Sequence, residues 1–257
     1  MSDLFSLKGR KAIVTGGSRG IGKMIATGFL RQGARVTITA RKAAQCEETV
    51  KELSKLGDID AIPCDLSLPA GIEEFASTYL AKHKTADILV NNAGAAWLEK
   101  FKDFPEKGWD KVMDLNVKTP FFLTQRLHDA LKAAAKPGQP SKVINIVSID
   151  GLSSNPQETY SYQASKAGLI HLTKRMSLRL IEDGIVVSAI APGAFASDMN
   201  IDARDNSERV ASRIPAKRLG VDDDMAGAAI FLASKAGDYV VGHTLVVDGA
   251  VSFSRSW

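Results

Sequence analysis

The 257-residue chain is 45% hydrophobic and 24% charged with a net charge of +4, which excludes global disorder and allows a sizeable core. Lys and Arg are dispersed without a basic arm, which argues against nucleic acid, and the apolar run MAGAAIFLA at 225–233 is half of what a membrane span needs. Cys46 and Cys64 lack a CxxC spacing and His83, His128, His171 and His243 stand far apart, so neither a disulfide framework nor a metal site is expected.

KAIVT at 11–15 predicts a strand, and the segment after it repeats Ile21, Ile25 and Phe29 at helical spacing. RVTITA at 35–40 is rich in β-branched residues, and the helix predicted behind it ends near Gly57. DILVN at 87–91 and KVINIVS at 142–148 are short and uniformly apolar, as strands covered on both faces are. KPGQP at 136–140 is a turn, GIVVSAIAP at 184–192 a further strand, and TLVVD at 244–248 closes the series. This alternation predicts an α/β fold: a doubly wound, Rossmann-like parallel sheet with helices on both faces. No Pro-, Gly- or Ser-rich linker interrupts it, so one domain spanning 1–257 is expected. The opening MSDLFSLKGR lacks a secretory pattern, and with two reduced thiols the expected location is the cytoplasm.

TGGSRGIG at 15–22 lies between the first strand and the first helix. There Gly16, Gly20 and Gly22 would permit a tight turn and close backbone approach to a pyrophosphate, with the helix amides facing the anion. Its TGxxxGxG spacing is followed by CDL at 64–66, NNAG at 91–94, LNV at 115–117, Ser148, YQASK at 162–166, APG at 191–193 and VDG at 247–249. In this order the motifs resemble the short-chain dehydrogenase/reductase family over nearly the whole chain, most closely its 3-oxoacyl-(acyl-carrier-protein) reductase branch.

The resemblance implies a dinucleotide cofactor held by the glycine loop, including Ser18, Arg19 and Ile21. An NAD-preferring site places a carboxylate at the end of the second strand to meet the ribose 2′-OH. Here RVTITARK has Ala40 followed by Arg41, and Arg41 with Arg19 would bind a 2′-phosphate, so NADP(H) is expected. By resemblance, Asp65 would bond the adenine amino group, Leu66 would lie beside the ring, and Asn92, Ala93 and Gly94 would follow the adenosine ribose. Pro192, Gly193, Phe195 and Ser197 would border the nicotinamide, with a substrate lid at about 195–218. Asn91 is expected to be a structural hydrogen-bonder, and Trp97 and Trp109 to pack rather than bind substrate.

YSYQASK at 160–166 offers two tyrosines and one lysine. Positions four apart on a helix share a face, so Tyr162 pairs with Lys166 and Tyr160 does not. The ammonium is expected to lower the phenol's pKa and make it a usable acid–base. The resemblance adds Lys166 hydrogen bonding to the nicotinamide ribose, Ser148 holding the substrate oxygen, and Asn116 holding a water that links Lys166 to solvent. The implied reaction is NADPH-dependent reduction of a carbonyl, a 3-oxoacyl thioester being the favoured form, with Tyr162 as proton donor. A sugar, polyol or steroid alcohol dehydrogenase is the alternative within the family, and a non-catalytic NADP-binding regulator the alternative outside it.

Two positions depart from the pattern. Asp150 stands where a small residue is common, close enough to the site to affect substrate choice, and Ala250 replaces a second glycine after VDG. Homodimers or homotetramers are the family's usual assemblies, and the tail VSFSRSW is a candidate for reaching a neighbouring subunit.

Overall fold

The computed structural model describes residues 4–254. Its apolar runs form one seven-stranded sheet in which each strand pairs parallel with its neighbours. The strands are β1 (Lys11–Thr15), β2 (Arg35–Thr39), β3 (Ile59–Ala61), β4 (Ile88–Asn91), β5 (Ser141–Ile146), β6 (Ile185–Pro192) and β7 (Thr244–Val247), in the order β3-β2-β1-β4-β5-β6-β7. The helices are α1 (Gly20–Arg31), α2 (Ala43–Leu53), α3 (Pro69–Lys82), α4 (Glu106–Met113), α5 (Thr119–Arg126), α6 (His128–Ala134), α7 (Tyr160–Leu180), α8 (Ile201–Asp205), α9 (Ser207–Arg213) and α10 (Asp222–Ala233).

Successive strand residues point to opposite faces, so β1 feeds two cores. Ala12 and Val14 join Ile25 and Phe29 of α1 and Met225 and Leu232 of α10 on one side. Ile13 joins Phe75 and Tyr79 of α3, Leu123 of α5 and Leu131 of α6 on the other. Side chains such as Phe29 and Phe75 are fully buried, each contributing about 1.5–3 kcal/mol of hydrophobic stabilisation. β4, β5 and β6 are buried throughout, as their uniform apolarity predicts, whereas β7 at the sheet edge is only half-buried.

β3 is absent from the sequence-based series: it has three residues, and Asp60 interrupts its apolar pattern. KPGQP forms the expected turn, with Gly138 at φ 73° and a single antiparallel bridge between Lys136 and Gln139. No described helix is long and apolar enough to cross a membrane. Of the tail, Val251–Phe253 forms one 3-10 turn, and residues 255–257 lie outside the described residues.

Chain order runs outward in both directions from β1 and β4, which opens a crevice between their C-terminal ends, the place where parallel α/β sheets hold ligands. The glycine loop leaves β1 there, NNAG leaves β4, and Ser148 follows β5.

Candidate active site

The glycine loop is shaped by contacts that tolerate no side chain. Gly16 has φ 65°, and a Cβ on Gly22 would lie 2.3 Å from the Gly16 carbonyl oxygen, so the loop closes directly on the first turn of α1. Ser18 is buried: its hydroxyl pairs with Gln45 at 3.3 Å and its carbonyl accepts from Thr49 at 2.9 Å. Ile21 packs against the core.

Thr15, which the sequence reading passed over, ties this loop to the next strand. Its hydroxyl donates to the Val90 carbonyl at 3.2 Å and accepts from the Asn92 and Ala93 amides, each at 2.9 Å. Asn92 reciprocates, donating Nδ2 to the Thr15 carbonyl at 2.8 Å. Asn91 is structural as expected, giving Nδ2 to Asn145 Oδ1 at 2.9 Å, and Asn145 in turn bonds Thr173 of α7 at 2.9 Å.

Arg41 is exposed and makes no ion pair among the described residues, and no carboxylate occupies the end of β2. Arg19 pairs with Asp198, which Arg204 also holds at 2.9 Å. The two cations keep the Asp198 carboxyl below the usual carboxylate range, Arg19 foremost. Asp65 is half-buried and bonds the Ser67 amide and hydroxyl at 3.1 and 2.7 Å.

Two of the residues expected beside the cofactor turn their side chains into the core. Leu66 is packed in the core beside Ile72 and Phe75, and only its backbone is free to face a ring. Phe195 is turned inward against Gly220, where a Cβ would come within 2.3 Å of the phenyl ring. Both are apolar residues at the foot of a crevice, and the core claims them. Pro192 ends β6, Gly193 packs against Asp248, and the Ser197 hydroxyl accepts from the Asn200 amide at 3.1 Å.

Ser148, Tyr162, Lys166, Asn116 and Gly94 converge. Asn116 sits, buried, in a five-residue π-helical turn (Asp114–Lys118) between α4 and α5, a distortion frequent at functional sites. Its Oδ1 accepts from the Ala95 amide at 2.8 Å, and its Nδ2 donates to the Ala95 carbonyl and Ser165 Oγ, both at 2.9 Å. Both amide hydrogens are thus engaged within the protein. The side chain fastens the 94–95 loop to α7. Ser165 Oγ donates to the Tyr162 carbonyl at 2.7 Å and completes the link. A Cβ on Gly94 would stand 3.2 Å from Asn116 Oδ1 and 3.7 Å from Lys166 Nζ, so glycine keeps an open backbone face beside the lysine.

Tyr162 and Lys166 share a face of α7, with Nζ 5.5 Å from the phenol ring centroid. Lys166 is buried and donates to the Ile146 carbonyl at 2.9 Å. Burial lowers its pKa to about 8. The expected lowering of the phenol does not hold in this geometry. Burial pushes Tyr162 up to about 12; a hydrogen bond with Ser148 pulls it down, and the Asp150 charge raises it further. The lysine's hydrogen bond points to the strand carbonyl, and desolvation is the largest influence on the phenol. A phenol so held is protonated at neutral pH.

Tyr160 is the first residue of α7, bonds Glu158 at 2.9 Å and stacks edge-on with Phe101 and Phe104, away from Lys166. Trp97 packs on Gly108 under Lys111, and Trp109 on Phe104. Among the described residues no three His, Cys, Asp or Glu side chains cluster as metal ligands.

Residues 16–252 match the family model described as enoyl-(acyl carrier protein) reductase. The chain is 43% identical over 252 residues to the rhamnolipids biosynthesis 3-oxoacyl-[acyl-carrier-protein] reductase of Pseudomonas aeruginosa, covering 97% of this chain and 98% of the relative. It is 39% identical over 253 residues to the 2-dehydro-3-deoxy-D-gluconate 5-dehydrogenase of Bacillus subtilis, covering 97% of each. In structure it is similar to the Pseudomonas aeruginosa RhlG/NADP active-site complex, with a TM-score of 0.94 at 44% identity over 98% of this chain and 100% of that one. A gluconate 5-dehydrogenase from Burkholderia cenocepacia in complex with NADP and tartrate gives a TM-score of 0.89 at 32% identity over 99% of each chain. With its parallel sheet, its glycine loop and its Ser148, Tyr162 and Lys166 cluster, the chain belongs to the short-chain dehydrogenase/reductase family.

Proposed function

We propose that the chain is an NADPH-dependent carbonyl reductase that converts a ketone to an alcohol. The observation that carries this reading is the meeting of Ser148, Tyr162 and Lys166 beside the bare face of Gly94, at the crevice where the sheet order reverses. The residues present fit NADP(H): a glycine loop closed on a helix start, an Arg41 with no ion pair among the described residues and no acid at the end of β2. The NADP complexes among similar structures support it. When bound, NADPH supplies the hydride.

The protein's residues supply position and a proton. Ser148 Oγ holds the substrate oxygen. Tyr162, kept protonated by burial, donates its proton to that oxygen as charge develops there. The Lys166 ammonium offsets the phenolate left behind. Asn116 acts as a positioning residue through Ala95 and Ser165. Arg41 and Arg19 would hold the 2′-phosphate, Asp65, Asn92 and Ala93 would line the adenosine side, and Pro192, Gly193 and Ser197 the nicotinamide side. The segment 195–218 is the substrate lid.

A 3-oxoacyl thioester and a sugar or polyol ketone are both substrates of this reading, matching the names of the two curated relatives. The single domain, a cytoplasmic location and a homodimer or homotetramer complete it. Exposed Phe121 and Phe122 on α5, and Tyr239 and Val241 beside the edge strand, support assembly by apolar contact. NADPH absorbance with acetoacetyl thioesters, diketones and ketoses is the test. Tight NADPH binding with turnover of none would instead favour the regulator.

A further inference from the structure

One acidic side chain on the catalytic turn has no part in this chemistry. Ser148 opens a 3-10 turn (Ile149–Gly151), and Asp150 lies two residues on. Gly151 seats the turn on α7: a Cβ there would fall 2.6 Å from the Lys166 carbonyl carbon and 2.8 Å from the Ala167 nitrogen. The Asp150 amide donates to Ser148 Oγ at 3.1 Å, so hydroxyl and carboxyl belong to one braced unit. The carboxyl is half-buried, and Oδ1 accepts from Asn155 Nδ2 at 2.7 Å. Oδ2 has no partner among the described residues and is not sealed from solvent. The amide bond to Ser148 Oγ keeps Asp150 on the same turn as the catalytic hydroxyl, and its charge acts on the Tyr162 phenol.

We propose that Asp150 is a specificity-determining residue whose Oδ2 accepts a hydrogen bond from a substrate hydroxyl on the carbon beside the carbonyl being reduced. This rests on the reductase reading above. Asn155 fixes the direction of the carboxyl, leaving one oxygen to be satisfied by whatever enters. A partly desolvated carboxylate oxygen gains from a donor, is left unpaired by plain alkyl, and repels an anion. The site therefore favours neutral hydroxyketones and ketoses. It disfavours 3-oxoacyl thioesters, which carry no hydroxyl at that carbon.

The experiment follows NADPH oxidation by the full chain at saturating NADPH. Acetoin and butanone, which differ by one hydroxyl beside the carbonyl, are compared, with an acetoacetyl thioester alongside. The wild type is expected to favour acetoin over butanone in kcat/KM by about 10–100-fold, the range of a hydrogen bond to a charged group. Asp150→Ala removes that preference by lowering acetoin alone, and Asp150→Asn, which keeps an acceptor oxygen, retains part of it. An unchanged NADPH affinity certifies that either variant is folded. Equal losses on both ketones would assign the Asp150 side chain to bracing the turn through Asn155 and overturn the proposal. Wild-type turnover without the preference, or thioester favoured over acetoin, would overturn it too. Failure of all three compounds with NADPH bound would defeat the reductase reading itself.

Discussion

In the proposed reaction, Lys166 is expected to set the alkaline limit of carbonyl reduction. Its pKa is lowered by burial to about 8, while that of Tyr162 is raised to about 12, so on raising the pH the ammonium is lost first and the phenol is still protonated. A depressed lysine is charged below its pKa and neutral above it. The charged fraction therefore falls from about nine-tenths near pH 7 to about one-tenth near pH 9. The ammonium stands 5.5 Å from the ring centroid. At an effective dielectric of about 20, a unit charge at that distance stabilises the developing phenolate by about 3 kcal/mol, or roughly 100-fold in rate. The assay is kcat for NADPH-linked reduction at saturating NADPH and ketone, across about pH 6 to 10. We expect an alkaline limb with an apparent pKa near 8. Lys166→Met should lower kcat roughly 100-fold and erase the limb, while Lys166→Arg, charged throughout, should push it past the measured range. A limb near 8 that survives in Lys166→Arg would refute the assignment, as would a Lys166→Met loss below about tenfold.

Tyr162→Phe should reduce turnover at least ~100-fold with NADPH binding retained, since only the proton donor is removed. Tyr160→Phe should leave turnover nearly unchanged, because its hydroxyl bonds only Glu158; the opposite pattern would reverse the two tyrosines. Arg41→Asp should weaken NADPH binding by about 10–100-fold and NADH far less, measured by fluorescence titration, and equal effects would remove the 2′-phosphate contact. Ala250 is exposed and holds φ 73°, a conformation that disfavours a Cβ. Ala250→Gly should stabilise the fold by about 0.5–1 kcal/mol, read as a Tm increase of about 1–4 °C, and a decrease would show that the methyl group packs.

Most of the sheet was legible because a buried parallel strand must be apolar on both faces, and only runs such as DILVN and GIVVSAIAP meet that demand. β3 escaped because three residues at one sheet edge need little apolar patterning. The pairing of Tyr162 with Lys166 followed from helical geometry alone. The phenol's pKa did not, since spacing gives proximity but says nothing of which carbonyl the ammonium turns to or how much water is excluded. Motif resemblance likewise located Leu66 and Phe195 without telling that their side chains face the core. The roles of Thr15 and Ser165 were invisible because each is a hydroxyl whose partners, Ala93 and Asn116, are far away in the chain.

The widened turn at Asp114–Lys118 constrains the gene as well as the protein. Such a turn accommodates one residue more than regular helical winding. Deleting a single codon within it would let the backbone relax into an ordinary α-helix, turning residues inside the former bulge by up to about 100° while the flanking helices keep nearly their present orientation. Asn116 would then swing off the loop it fastens, while the hydrophobic composition stayed the same. Along this stretch the number of residues matters as much as their identity, so single-residue length variants should be far less tolerated than conservative substitutions.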